Sequence, residues 1–76
     1  MPRITTLHYR KLVKIFELAG WKLHHQRGSH LHFVKAGFRR PVIIPTYKEV
    51  PIFIIENNLK TAEISTKQYF ELLKKI

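Results

Sequence analysis

Apolar residues near the start of the chain recur with the spacing of an amphipathic helix. Between Leu7 and Ala19 they form one stripe, and most basic residues of this stretch lie off it. Thr6 is placed to cap the start, and Gly20 stands where a helix commonly ends in the left-handed conformation. The stripe consists of Tyr9, Leu12, Val13, Phe16 and Ala19. The pattern predicts a first helix over residues 7–19.

After Gly20 the hydrophobic period falls to two, which is typical of β-strands. The predicted strands are residues 21–26, 30–35 and 42–44, with turns at residues 27–29 and 36–37. Pro41 and Pro45 flank the third strand, and they indicate an edge position or a strand end because neither can donate to a ladder.

The last third of the chain predicts two further helices. Residues 50–62 are rich in β-branched side chains, which would suit a strand, but Pro51 suits a first helical turn. Ile52, Ile55, Leu59 and Ala62 also keep helical spacing, which favours a helix. Residues 65–68 match a capping box that opens a last helix, with Tyr69, Phe70, Leu73 and Ile76 facing inward. We therefore expect one α+β domain over residues 1–76, with helices on one sheet face and the other face open.

Charge is the strongest signal in the composition. Fourteen Lys and Arg against five acidic residues give a formal net charge of +9. This excess predicts an anionic partner: nucleic acid first, an acidic protein second and a membrane surface third. There is no Asp or Cys, and the five Glu are scattered singly. A nuclease built on paired metal ions is therefore disfavoured, as is thiolate chemistry. Since no apolar run could span a bilayer, we expect a soluble, cytoplasmic protein without a membrane partner.

Three histidines are expected to share the open face of the sheet. His30 and His32 alternate onto one face, and a hairpin centred on Gly28 would place His24 opposite His32. The same register pairs Gln26 with His30, Lys22 with Val34, and Leu23 with Phe33.

This group has three interpretations. The histidines could be solvated surface residues, a three-nitrogen zinc site or acid–base catalysts acting on RNA. Catalysis would need an imidazole that accepts a proton from a ribose 2′-hydroxyl, beside cations that stabilise a charged phosphorane. The candidate cations are Lys22, Arg27, Lys35, Arg39 and Arg40.

Several segments of the chain carry a resemblance to a known family. They are the helix ending in Gly20-Trp21, the Gly28-Ser29-His30 turn, Ile43-Ile44-Pro45, and residues 59–65 followed by Phe70. In these the chain resembles the HicA toxins, mRNA interferases of HicA–HicB toxin–antitoxin pairs, over nearly its whole length.

The resemblance implies a fold like the double-stranded RNA-binding domain and cleavage of mRNA without a metal or other cofactor. It maps the catalytic histidine onto His30. Gly28 would let the turn approach RNA, and Ser29 would orient the site or touch a phosphate. With the candidate cations, His24 and His32 complete the expected RNA-binding set. The expected protein partner is an acidic HicB-like antitoxin that covers the open face.

The chain departs from its relatives at three places. Leu31 stands where many carry a second histidine, Tyr47 replaces a histidine after the third strand, and Glu63 replaces a small residue or glycine. The first two leave the second catalytic group open, with His32 or His24 as substitutes. The alternative function is a non-catalytic module that binds RNA by shape and backbone.

Overall fold

The structure is a computed structural model that describes residues 3–76. Met1 and Pro2, which belong to the predicted domain, lie outside the described residues. The elements are α1 (Tyr9–Leu18), β1 (Lys22–Arg27), β2 (His30–Val34), β3 (Val42–Pro45), α2 (Ile52–Thr61) and α3 (Thr66–Leu73). The predicted order of elements is confirmed.

Both ends of α1 are closed by local hydrogen bonds. At its start the cap is His8, whose Nδ1 accepts from the Arg10 amide at 3.1 Å. The prediction that Thr6 caps this helix is wrong, because its hydroxyl instead donates to Glu49 at 3.4 Å. At the other end Gly20 has a φ of +95°, and the amides of Gly20 and Trp21 bond back to the last turn. This left-handed closure is the one that the glycine predicts.

The sheet is antiparallel with the strand order β1-β2-β3. Along β2 and β3, the alternate residues Leu31, Phe33, Val42 and Ile44 are buried against the helices. Pro45, the last residue of β3, is buried as well. The four alternate residues join a core with Leu12, Ile15, Phe16, Trp21, Val50, Ile55, Leu59, Ala62 and Tyr69. The α+β class with helices on one sheet face is therefore confirmed. We call the side of the sheet turned away from the helices the open face.

Strand β1 is an edge strand, and all six of its residues are exposed. Even Leu23, which pairs with the buried Phe33, remains 53% exposed. The helices therefore cover β2 and β3 and leave the hairpin arm formed by β1 in solvent.

The two C-terminal helices form where the apolar spacing predicts them. The capping box of α3 is present, since Ser65 and Gln68 exchange hydrogen bonds of 2.9 and 3.1 Å between side chain and backbone. The inward placement of Ile76 is wrong: its side chain is exposed because it lies beyond the end of α3. Ile52, which opens α2, is exposed as well. Within residues 3–76, no helix is long and apolar enough to cross a membrane.

Helix α2 ends in the same closure as α1, but without a glycine. Glu63 has a φ of +55°, and the amides of Glu63 and Ile64 bond to the Lys60 and Leu59 carbonyls at 3.1 and 2.9 Å. A residue with a Cβ is disfavoured in this left-handed conformation by about 1–2 kcal/mol. A carboxylate also interacts unfavourably with the C-terminal end of a helix.

We therefore expect Glu63→Gly to raise the free energy of unfolding by roughly 0.5–1 kcal/mol, after the greater entropy of glycine in the unfolded chain is subtracted. Urea unfolding would measure this as a higher midpoint with an unchanged slope. Glu63→Gln is the matched control, because it removes the charge and keeps the Cβ. A Gly variant no more stable than the Gln variant would contradict the conformational explanation.

Candidate functional site

A two-residue turn sets the register of the β1–β2 hairpin. Gly28 and Ser29 form the turn, so that Arg27 pairs with His30. Gly28 has a φ of +59° and Ser29 has no positive φ, which is the pattern of a type II′ hairpin turn. A Cβ at Gly28 would meet no atom within 4 Å, so this glycine is favoured by its backbone conformation and not by lack of space.

The predicted register is correct only at the end of the hairpin far from the turn. Lys22 pairs with Val34 and Leu23 with Phe33, as expected. A β-bulge then falls between Leu23 and His25, and beyond it His25 takes the position opposite His32.

The pairings of His24 with His32 and of Gln26 with His30 are therefore wrong. The tight turn shortens the connection by one residue, and the extra residue at His24 restores the pairing of apolar positions further along.

The shifted register brings two imidazole rings into parallel contact. The rings of His25 and His32 stack with their centroids 4.3 Å apart and an interplanar angle of 19°. His24 remains close, because its ring meets that of His25 edge-on at 5.1 Å. The sequence-based interpretation missed His25, although Gly-Ser between two alternating segments is a recognised signal for a two-residue hairpin turn.

His30 occupies the middle strand at the turn end of the open face. It pairs with Arg27 on one side and with Pro45 on the other, and its side chain is exposed. The turn beside it is anchored, because the Ser29 carbonyl accepts from both the amide and the hydroxyl of Thr46, at 2.8 and 3.1 Å. Gln26 adds a bond of 2.9 Å from its side chain to the Gly28 carbonyl. His30 therefore projects from a fixed backbone into solvent.

Positive charge dominates the surroundings of His32. The pKa of His32 is lowered from its ordinary value of 6.5, first by partial desolvation and then by its charged neighbours. In order of decreasing effect, these neighbours are His25, Arg27, His30 and His24. All are cations or groups that become cations on protonation. An anion bound here would relieve this repulsion and raise the pKa of His32 again.

The remaining candidate cations lie elsewhere. Lys35 is on the helix side, where its ammonium donates to the Ala19 carbonyl at 2.8 Å and lies 5.6 Å from the centroid of the Phe38 ring. Lys22, Arg39 and Arg40 are exposed at the end of the sheet opposite the turn. Four residue steps along β2 separate that end from His30, about 13 Å. These three side chains therefore belong to a different part of any RNA-binding surface than His30.

The zinc interpretation needs three converging nitrogen ligands. Among residues 3–76, no three His or Glu side chains are arranged so that they could hold a metal ion. The bulge contributes to this outcome, because the stacked rings of His25 and His32 lie nearly parallel and do not converge on a common point.

We expect the imidazole of His32 to titrate below pH 6.5 in an NMR titration, and His25→Gln to raise its pKa. The rise should be partial, because desolvation, the largest cause, remains. His24→Gln is the matched control and should shift the pKa less, since His24 contributes least.

The same shift predicts how stability depends on pH. Because the pKa of His32 is lower in the folded than in the unfolded chain, the unfolded chain binds more protons as the pH falls below about 6.5. Stability should therefore fall on acidification through this range, and less steeply in His32→Gln. An equal slope in the variant would contradict the assignment.

Comparison with known proteins identifies the family. No curated protein and no solved structure matches the chain. A family model described as the HicA toxin of bacterial toxin–antitoxin systems matches residues 9–64, which include α1, the whole sheet and α2. That range covers more than half of the chain and contains the Gly28-Ser29-His30 turn, so the chain belongs to the HicA toxin family.

Proposed function

We propose that this protein is an endoribonuclease that cleaves mRNA by acid–base catalysis with His30, without a metal ion. The observation that carries the proposal is the pairing of His30 with Arg27 on an open face whose charged groups around His32 are all basic. Such a face attracts a phosphodiester and provides imidazoles, which are able to accept and to donate protons. Membership of a toxin family agrees with an activity directed against RNA.

In the proposed reaction His30 accepts the proton of a ribose 2′-hydroxyl. The 2′-oxygen then bonds to the adjacent phosphorus while the bond from phosphorus to the 5′-oxygen breaks. The leaving oxygen takes a proton from a second imidazolium. The products are a 2′,3′-cyclic phosphate and a free 5′-hydroxyl, so every proton and bond is accounted for.

His32 is the candidate for the second imidazole. It lies on the same face as His30, two residues or about 6.6 Å along the strand. The attacking and leaving oxygens stand on opposite sides of phosphorus, so two proton-transfer groups separated by a few ångströms suit this geometry. Binding of the phosphodiester raises the pKa of His32, which favours the protonated form that a general acid needs.

Arg27 is placed to stabilise the phosphorane. It is the cross-strand partner of His30, and a guanidinium offers paired N–H donors that match phosphate oxygens. Gly28 and Ser29 hold the turn beside it, and His24 borders the histidine pair. Lys22, Arg39 and Arg40 would contact phosphates further along the RNA, whereas Lys35 is engaged with Ala19.

The family implies a HicB-type antitoxin as the protein partner. We propose that this partner is acidic and covers the open face, where its carboxylates would neutralise Arg27 and the histidines. By occupying the same face as RNA, it would block cleavage without a conformational change in the toxin.

His30→Ala is expected to reduce RNA cleavage by about 10²–10⁴-fold, the usual contribution of a general acid–base group. The assay uses purified protein, single-stranded RNA and EDTA, and analyses the new ends. The fold should be unaffected because the side chain is exposed.

RNA with 2′-O-methyl groups is the substrate control and should not be cut by the wild type. Cleavage by His30→Ala at the wild-type rate would rule out His30 as the catalyst, and RNA binding without new ends would favour the non-catalytic module.

Arg27→Ala is expected to lower kcat by about 10²-fold, because one cation that faces the transition state is lost. Arg27→Lys should recover part of this loss, since it keeps the charge but not the paired donors. Lys35→Ala is the matched control on the opposite side of the sheet, and it should change stability more than kcat. Equal losses of kcat in Arg27→Ala and Lys35→Ala would indicate a general charge effect.

A further inference from the structure

The chain that leaves the His30 end of the sheet carries an exposed aromatic residue that the acid–base mechanism does not use. Tyr47 follows β3, and its side chain is 45% exposed. Single exposed aromatic residues are common on protein surfaces, so exposure alone carries little weight. What distinguishes Tyr47 is its position two residues beyond Pro45, the cross-strand partner of His30.

The backbone around Tyr47 is held on both sides. The preceding residue, Thr46, donates twice to the Ser29 carbonyl in the turn next to His30, at 2.8 and 3.1 Å. The Tyr47 carbonyl accepts from the Tyr9 amide at the start of α1, at 3.1 Å. Tyr47 therefore stands between the proposed catalytic turn and α1 on a fixed main chain, where an aromatic ring can bind with little loss of backbone entropy.

The start of α1 adds further flat and cationic groups. The rings of His8 and Tyr9 stack at 5.0 Å with an interplanar angle of 26°. The Arg10 guanidinium lies 5.8 Å from the centroid of the Tyr9 ring and donates to its hydroxyl at 3.3 Å. The Nδ1 atom of His8 accepts from the Arg10 amide, which fixes the orientation of the first ring. Aromatic rings and guanidinium planes together are what proteins use to hold unstacked bases of single-stranded RNA.

We propose that Tyr47, together with the His8, Tyr9 and Arg10 group, forms a subsite that stacks an unpaired nucleobase next to the phosphodiester held at His30. This proposal rests on the proposed function for its RNA ligand. Two residue steps and one strand spacing put the Cα atoms of His30 and Tyr47 on the order of 8 Å apart, a separation that one nucleotide can bridge. The subsite would hold the base of a nucleotide that adjoins the scissile bond, and it would favour single-stranded over duplex RNA because a stacked base must leave its helix.

Phe53 provides a matched comparison within the same chain. It is more exposed than Tyr47, at 63%, but it lines a separate cleft formed mainly by residues of α2 and the α2–α3 connection, including Glu56 and Lys60. A general loss of exposed aromatic surface would therefore affect both positions, whereas a base-stacking subsite would involve Tyr47 alone.

The test measures binding of a fluorescent single-stranded RNA to the full chain carrying His30→Ala, so that the RNA stays intact. In this background, Tyr47→Ala should weaken binding by about 5–100-fold, the usual effect of losing one stacked base. Tyr47→Phe should bind like its parent because the ring remains, and Phe53→Ala should leave binding unchanged. Because no charge is removed, the Tyr47→Ala loss should be similar at low and high salt. Thermal unfolding of each variant checks that the fold is retained.

A second measurement identifies the base itself. It uses a series of RNAs, each with one abasic nucleotide at a different position. For one RNA of the series, Tyr47→Ala and its His30→Ala parent should bind with equal affinity, because the base that Tyr47 stacks is missing. Equal binding of intact RNA by Tyr47→Ala would overturn the subsite, and so would weaker binding of the antitoxin with unchanged RNA affinity. If the wild type binds no RNA, the subsite and the proposed function both fail. RNA binding that depends on Tyr47, without cleavage by the wild type, would leave the subsite in place and overturn only the catalytic proposal.

Discussion

The conformation of Gly28 is the constraint on which the arrangement of the open face depends. Its positive φ permits a turn of only two residues, and that turn makes Arg27 the partner of His30. Leu31 and Phe33 must meanwhile stay buried, so the hairpin cannot move as a whole. The bulge before His25 reconciles the two demands, because one extra residue in β1 returns Leu23 to its position opposite Phe33. The stacked pair of His25 and His32 is a consequence of that adjustment.

The open face concentrates positive charge around His32. The groups that shift the pKa of His32 through their charge are all basic, and the chain has only five acidic residues in total. These neighbours oppose the protonation of His32 until an anion binds. The proposed RNA substrate and the proposed acidic antitoxin would each relieve this repulsion, so we expect them to compete for the open face.

Two residues that depart from the family pattern, and one of the candidate cations, can be understood in structural terms. Glu63 adopts the left-handed conformation that ends α2, a position where a glycine would be relaxed. Tyr47 stands on a backbone tied to the turn and to α1, and its ring is exposed two residues beyond Pro45, the cross-strand partner of His30. Lys35 carries a charge that looks available in the sequence but is used to close α1. The set of basic side chains free to meet an anion is therefore smaller than the sequence suggests.

The order of elements, the buried face and the place of His30 could be read from the sequence, because they follow from hydrophobic periods of 3.6 and 2 and from local caps. Family membership was equally visible in the segments around Gly20-Trp21 and Gly28-Ser29-His30, and the family match agrees. The sequence did not show which histidine faces His32. The bulge leaves the alternation of β2 and β3 unchanged and alters only β1, whose residues are all exposed. The burial of apolar residues therefore could not distinguish between the possible registers of β1. The Gly28-Ser29 signal for a two-residue turn could have placed Arg27 opposite His30. Only the tertiary structure decided that His25 stacks on His32, because pairing with the buried strand β2 had to satisfy the tight turn at the same time.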